Sequence, residues 1–237
     1  MAIKGVLFDF SGTLLRIEPT VSWLRATLDR TGIALDDAEF DRCARELEAV
    51  GALPGSTHSP VVPESIADVW ATRDESAARH RAAYLALVRQ VQLPAPELAE
   101  ALYARHMTPA AWHPYPDTRE VLTGLHRRGV RVGVVSNIGW DLRPVFREHG
   151  LAPYVDTYVL SYELGVQKPD PRLFELGCEG LGTDPVDTLM VGDDRVADGG
   201  AAGIGCAVHF VDHLPAAERP DGLRPVLRRV DGIHDPQ

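Results

Sequence analysis

The chain has 237 residues, a net charge of −10, 45% apolar and 24% charged residues, which suits one folded domain or a core with an inserted subdomain and excludes a disordered or fibrous protein. The acidic balance, with no basic run to offset it, excludes a general affinity for the nucleic-acid backbone. No apolar stretch approaches the roughly 20 residues that a membrane span needs, so neither nucleic acid nor membrane is expected as a partner.

Residues 4–9, Lys-Gly-Val-Leu-Phe-Asp, form a short apolar run that ends in a carboxylate and a Ser-Gly-Thr turn, the pattern of a buried first strand rather than of a secretory leader. From about Arg16 to Ala111 the chain is rich in Ala, Leu, Arg and Glu at helical spacing. Helices are predicted at Val21–Thr31, Asp37–Ala49, Ser65–Gln90 with a break near Arg73, and Pro96–Arg105, with no strand among them. Gly51–Pro63, dense in Gly, Pro, Ser and Thr, is the expected mobile loop of this segment. Apolar runs at Val130–Val135, Thr157–Leu160, Thr188–Val191 and Cys206–Val211 then alternate with helical patterns at Asp117–Arg128, Asp141–Glu148 and Pro171–Leu181. That alternation predicts an α/β fold with a doubly wound parallel sheet. Residues 1–15 and 113–237 would make the core and 16–112 an all-helical insertion, with the chain frayed after about Val230. Three widely spaced cysteines without a CxxC pair read as reduced thiols of a cytoplasmic protein. The apolar helix stripes suit either the core or a second subunit, which leaves an oligomer open.

Several predicted strands end in polar clusters, where open α/β sheets bind ligands. Asp9-Phe10-Ser11-Gly12-Thr13 offers a nucleophilic oxygen beside free backbone amides, although a strand-end aspartate is often only a turn residue. Ser136 and Asn137 follow Val135, and Ser136 suits either an anion contact or a helix N-cap. Lys168-Pro169-Asp170-Pro171 carries one of only two lysines, the other being Lys4. In a chain that otherwise uses arginine, a compact ammonium suggests charge neutralisation at a reacting group, beside the plainer reading of a solvated surface charge. Asp193, Asp194 and Asp198 cluster past Val191-Gly192; clustered carboxylates with oxygen-only chemistry suit Mg²⁺, or a helix cap.

The four pieces together resemble the haloacid dehalogenase superfamily over residues 1–15 and about 113–215, and the insertion resembles the helical cap of that family. The resemblance implies a Rossmann-like core in which Asp9 is the nucleophile, Thr13, Ser136 and Asn137 face the anion, and Lys168 balances charge. It also implies Mg²⁺ as cofactor, held by Asp9, the Ser11 main-chain carbonyl and Asp193, with Asp198 and Asp194 in support. The substrate it implies is a small phosphorylated, or otherwise anionic, metabolite.

Ser11 departs from the phosphatases of that superfamily, which carry an aspartate there as acid and base. A hydroxyl is too weak an acid to replace it, and general acid–base catalysis is worth typically ~10²–10⁴. Three readings stay open. The protein is a Mg²⁺-dependent phosphohydrolase whose leaving group is acidic enough or whose proton comes from elsewhere; it is a 2-haloacid dehalogenase-like enzyme, since halide needs no proton; or it is a non-catalytic binder of a phosphorylated ligand or partner. Phosphonate cleavage would need a cap lysine, and residues 16–112 contain none. His209 and His213 read as structural or exposed, Trp23, Trp70, Trp112 and Trp140 as packing of the insertion and its joint, with Trp112 able to face the cleft, and Arg16, Arg42, Arg45 and Arg73 as solvated in the main, though able to meet an anionic substrate.

Overall fold

The computed structural model describes residues 2–56 and 58–232; Thr57, inside the expected mobile loop, and residues 233–237, most of the expected frayed end, lie outside the described residues. In chain order the strands are β1 (Gly5–Phe8), β2 (Leu15–Ile17), β3 (Trp112–Pro114), β4 (Arg131–Ser136), β5 (Thr157–Leu160), β6 (Thr188–Gly192) and β7 (Ala207–Phe210). The helices are α1 (Thr20–Thr31), α2 (Asp37–Ala49), α3 (Ala67–Ala71), α4 (Ala77–Val88), α5 (Glu97–His106), α6 (Thr118–Arg127), α7 (Arg143–Glu148), α8 (Ser161–Leu164), α9 (Pro171–Leu181) and α10 (Arg224–Val230).

Five strands form one parallel sheet in the order β5-β4-β1-β6-β7. Successive side chains of a strand point to opposite faces, and β1 follows that rule: Val6 and Phe8 pack with Leu122 and Leu125 of α6, whereas Leu7 joins Phe174 and Cys178 of α9. Both faces are therefore covered, as a parallel sheet requires. Register then fixes the site, because Phe8 lies opposite Val134 of β4 and Val191 of β6. Asp9, Ser136 and Asp193 accordingly emerge at the same carboxyl edge.

The predicted strands and most helices are present to within a few residues. Asp170 shows why the α9 boundary was readable: its carboxylate accepts the Arg172 amide at 2.9 Å, Pro171 opens the helix, and Gly182 ends it in the left-handed region. The break near Arg73 is a 3₁₀ turn over Arg73–Glu75, after which Ser76 caps α4 through the Arg79 amide. One expectation is corrected. Residues 16–112 are not all-helical, because strand stands at both ends: β2 pairs antiparallel with β3, Ile17 opposite Trp112, and this ladder closes the neck of the helical segment. A three-residue strand is too short for alternation to reveal. Helices α8 and α10 were likewise not anticipated.

The aromatic residues assigned to packing do pack. Trp23 is fully buried and its indole donates to the Leu102 carbonyl of α5 at 2.9 Å, and Phe10, Trp112 and Trp140 form one ring cluster at the joint. All three cysteines are free and buried. Among the described residues no helix is long and apolar enough to cross a membrane.

Candidate active site

A cavity of about 530 Å³ lies over the carboxyl edge of the sheet, walled on one side by Asp9, Ser136 and Lys168 and on the other by Arg73, Asp74 and Tyr84 of the helical segment. Lys168 is its electrostatic centre. Lys168 is 4% exposed, and its ammonium donates to Asp9 Oδ1 at 2.7 Å and to Asp198 Oδ1 at 2.5 Å. Burial works against its charge, but Asp198 and Asp9 hold it protonated, above its ordinary value. Burial pushes Asp9 up, to about 8, with Lys168 opposing and Asp198 and Asp193 adding to the rise. For Asp193 burial works upward too, yet hydrogen bonds from His213 and Thr13 and the charge of Lys168 bring the net shift below the usual carboxylate value.

One oxygen each of Asp9, Asp193 and Asp198 lies within 4.8 Å of the others. Three buried or half-buried carboxylates face one lysine, so the protein's own charges leave a negative excess. Hard oxygen donors with uncompensated charge fit a divalent cation such as Mg²⁺.

The other expected residues land in distinct places. Ser136 is 1% exposed and lines the cavity, and its hydroxyl has no hydrogen bond among the described residues, as an anion contact requires. Asn137 also lines it, but its amide is engaged on the backbone of Lys168, donating to the carbonyl at 3.0 Å and accepting from the amide at 2.6 Å. It positions the lysine. Thr13 is fully buried and donates to Asp193 Oδ1 at 3.0 Å, so it orients a carboxylate rather than facing an anion. Asp194 is exposed and caps its own turn through the amides of Val196 and Ala197. It is outside the trio.

Ser11 lines the cavity with a buried hydroxyl that lacks a hydrogen-bond partner among the described residues. Gly55 of the 51–63 loop sits directly against it: φ is +74°, and a Cβ there would run into Ser11 Oγ. Arg16 fastens this contact by donating to the Gly55 carbonyl at 2.7 Å.

Two groups escaped the sequence reading. His213 is neither structural nor simply exposed: Nδ1 donates to Asp193 Oδ2 at 2.5 Å and Nε2 accepts from Arg16. Arg73, weighed as an anion contact but read in the main as solvated, stacks on Trp70 at 4.5 Å and faces the cavity beside Asp74, His80 and Tyr84. The predicted helix break at Arg73 was the available signal, since a chain break over a cleft exposes side chains to it.

A family model described as haloacid dehalogenase-like hydrolase matches residues 3–203. Haloacid dehalogenase-like hydrolase domain-containing protein 3 of Homo sapiens is 31% identical over 146 residues, 61% of this chain but only 55% of that protein. The chain thus spans about half the length of that relative. Glyceraldehyde 3-phosphate phosphatase of Methanopyrus kandleri is 30% identical over 200 residues, covering 81% of this chain and 76% of that one. In fold, a Bacillus subtilis HAD-hydrolase solved with magnesium superposes with a TM-score of 0.67 at 16% identity, over 98% of this chain and 100% of that one. With the family model spanning most of the chain and the sheet order and strand-end cluster in agreement, the protein belongs to the haloacid dehalogenase-like hydrolases.

Proposed function

We propose that the protein is a Mg²⁺-dependent phosphohydrolase acting on a small phosphorylated metabolite, with Asp9 as nucleophile and residues 16–112 as a helical cap over the site. The observation that carries this reading is the meeting of Asp9, Lys168, Asp193 and Asp198 at one sheet edge, an arrangement that carbon–halogen displacement does not call for. The Methanopyrus relative, a phosphatase by name, supports it.

Asp9 presents one oxygen to Lys168 and keeps the other free of hydrogen bonds among the described residues, available for in-line attack at phosphorus. Lys168 holds that carboxylate in place and offers positive charge to the transferring group. The unpartnered Ser136 hydroxyl donates to a phosphoryl oxygen, and Asn137 keeps Lys168 at its station. Asp193, fixed by Thr13 and His213, and Asp198 would hold Mg²⁺ together with Asp9. When bound, the ion would supply Lewis-acid charge opposite the phosphoryl oxygens. The cap wall encloses the substrate and excludes water from the site.

Release of 4-nitrophenol from its phosphate by the wild type and Asp9→Asn, each with Mg²⁺ and with chelator, tests the reading. Release that requires both Asp9 and Mg²⁺ is expected. Metal-independent halide release from 2-haloacids, with no phosphate released from any ester, would overturn it.

A further inference from the structure

A phosphohydrolase that cleaves unactivated alkyl esters needs a proton for the leaving oxygen, and Ser11 cannot supply one. The neighbouring histidine, tyrosine and arginine side chains of the cavity are less suited to supply it. His213 has both ring nitrogens engaged, by Asp193 and Arg16. His80 is held neutral by burial, well below its ordinary value, and burial pushes Tyr84 up to about 12. Arg73 does not exchange a proton in this range. His58 lies half exposed at the rim, 3.7 Å from Glu48.

Asp74 differs from all of these. It is 5% exposed, lines the same cavity, and its carboxyl makes no hydrogen bond among the described residues. Its nearest charged neighbours stand off, Arg73 Nε at 3.5 Å and His80 Nε2 at 3.8 Å. The turn that carries it is pinned over the sheet edge: Ser161, which follows β5, donates to the Asp74 carbonyl at 2.6 Å, and Gln167, next to Lys168, donates to the Ala71 carbonyl at 2.7 Å. A buried carboxyl open to a cavity, held only by a loose ion pair to Arg73 and by no hydrogen bond among the described residues, is a group available to a ligand.

On the phosphohydrolase reading above, we propose that Asp74 is the general acid and base of the reaction, doing from the helical segment what residue 11 cannot do from the core. Asp9 forms a bond to phosphorus as the bond from phosphorus to the leaving oxygen breaks, and the Asp74 proton passes to that oxygen. Water then bonds to phosphorus as the Asp9 ester breaks, its proton returns to Asp74, and inorganic phosphate leaves. Burial raises the Asp74 carboxyl, against the pull of Arg73 and Lys168, which favours the protonated form that the first step needs.

The test compares 4-nitrophenyl phosphate with a simple alkyl phosphate in wild type, Asp74→Asn and Asp74→Glu, with Mg²⁺. The wild type should cleave both esters with little dependence on leaving-group acidity. Asp74→Asn should lose about 10²–10⁴-fold on the alkyl ester and only a few-fold on the activated one, and Asp74→Glu should restore the flat profile. Equal loss on both esters, or no loss, overturns the assignment. So does a wild type that cleaves only the activated ester, a result that does not depend on any variant folding. Cleavage of 4-nitrophenyl phosphate requiring Asp9 preserves the phosphohydrolase reading in each of these cases; a wild type inert on both esters removes that reading and this assignment together.

Discussion

Replacing His106 by phenylalanine should make the protein less sensitive to acid. The imidazole is fully buried among His80, Tyr103 and Trp140, and neither ring nitrogen has a hydrogen bond of good geometry among the described residues. Burial lowers its pKa from the ordinary histidine value of about 6.5 to about 3, with the Tyr103 backbone pulling weakly the other way. The unfolded chain therefore takes up a proton below about pH 6.5 that the folded chain refuses, and stability falls with pH through the window from 6.5 to 3. At 1.36 kcal/mol per pH unit, His106 alone removes about 2 kcal/mol between pH 7 and pH 5. For a chain of this size that is a fall of roughly 4–8 °C in Tm. Urea unfolding of wild type and His106→Phe at both pH values isolates the effect as a difference of differences, since all other titrating groups are shared. His106→Phe should lose about 2 kcal/mol less than wild type on going to pH 5, and its pH 7 stability should not fall, because a ring of similar shape replaces two unpaired polar atoms. Identical acid losses in the two proteins would refute the argument and mean that His106 is hydrated in solution.

Lys168→Met leaves Asp9 and Asp198 buried without their shared counter-charge, and should cost about 3–5 kcal/mol in chelator; Mg²⁺ should recover part of that loss in urea titrations, and a variant insensitive to the ion would speak against a cation site among these carboxylates. Gly55→Ala meets a left-handed backbone, worth about 1–2 kcal/mol against a side chain, and Ser11 Oγ as well. Pairing it with Ser11→Ala should return the steric part and not the backbone part, read as Tm; equal Tm values for the single and double variants would show that the loop is not seated on residue 11.

The core of the fold was readable because its determinants are local. The apolar runs, Asp170 with Pro171, and Gly182 each carry their own stop and start signals within a few residues. The same holds for Asp9, Lys168 and the Asp193–Asp198 motif, whose meeting follows once the sheet is parallel and the strand ends share an edge. Other relationships depend on how distant segments lie against one another. Asn137 grips the Lys168 backbone across 31 residues of chain, and His213 returns to Asp193 after β7. Nothing near Asp74 in sequence announces that its turn is stitched to Ser161, 87 residues on. The β2–β3 ladder was missed for the same reason: three residues per strand gain their meaning only from the partner across the joint.

That ladder also bears on how the chain finds its fold. β1 must pair with β4 across about 120 residues, a loop whose closure costs conformational entropy before the sheet gives anything back. Once β2 and β3 meet, with Glu18 donating its amide to the Ala111 carbonyl at 2.8 Å, the whole helical segment is tied off at its neck. The distance along the chain that still has to be closed then shrinks to a few tens of residues, a saving of roughly 1.5 kcal/mol in loop entropy. Three residues on each side thus convert a remote pairing at the centre of the sheet into a nearly local one.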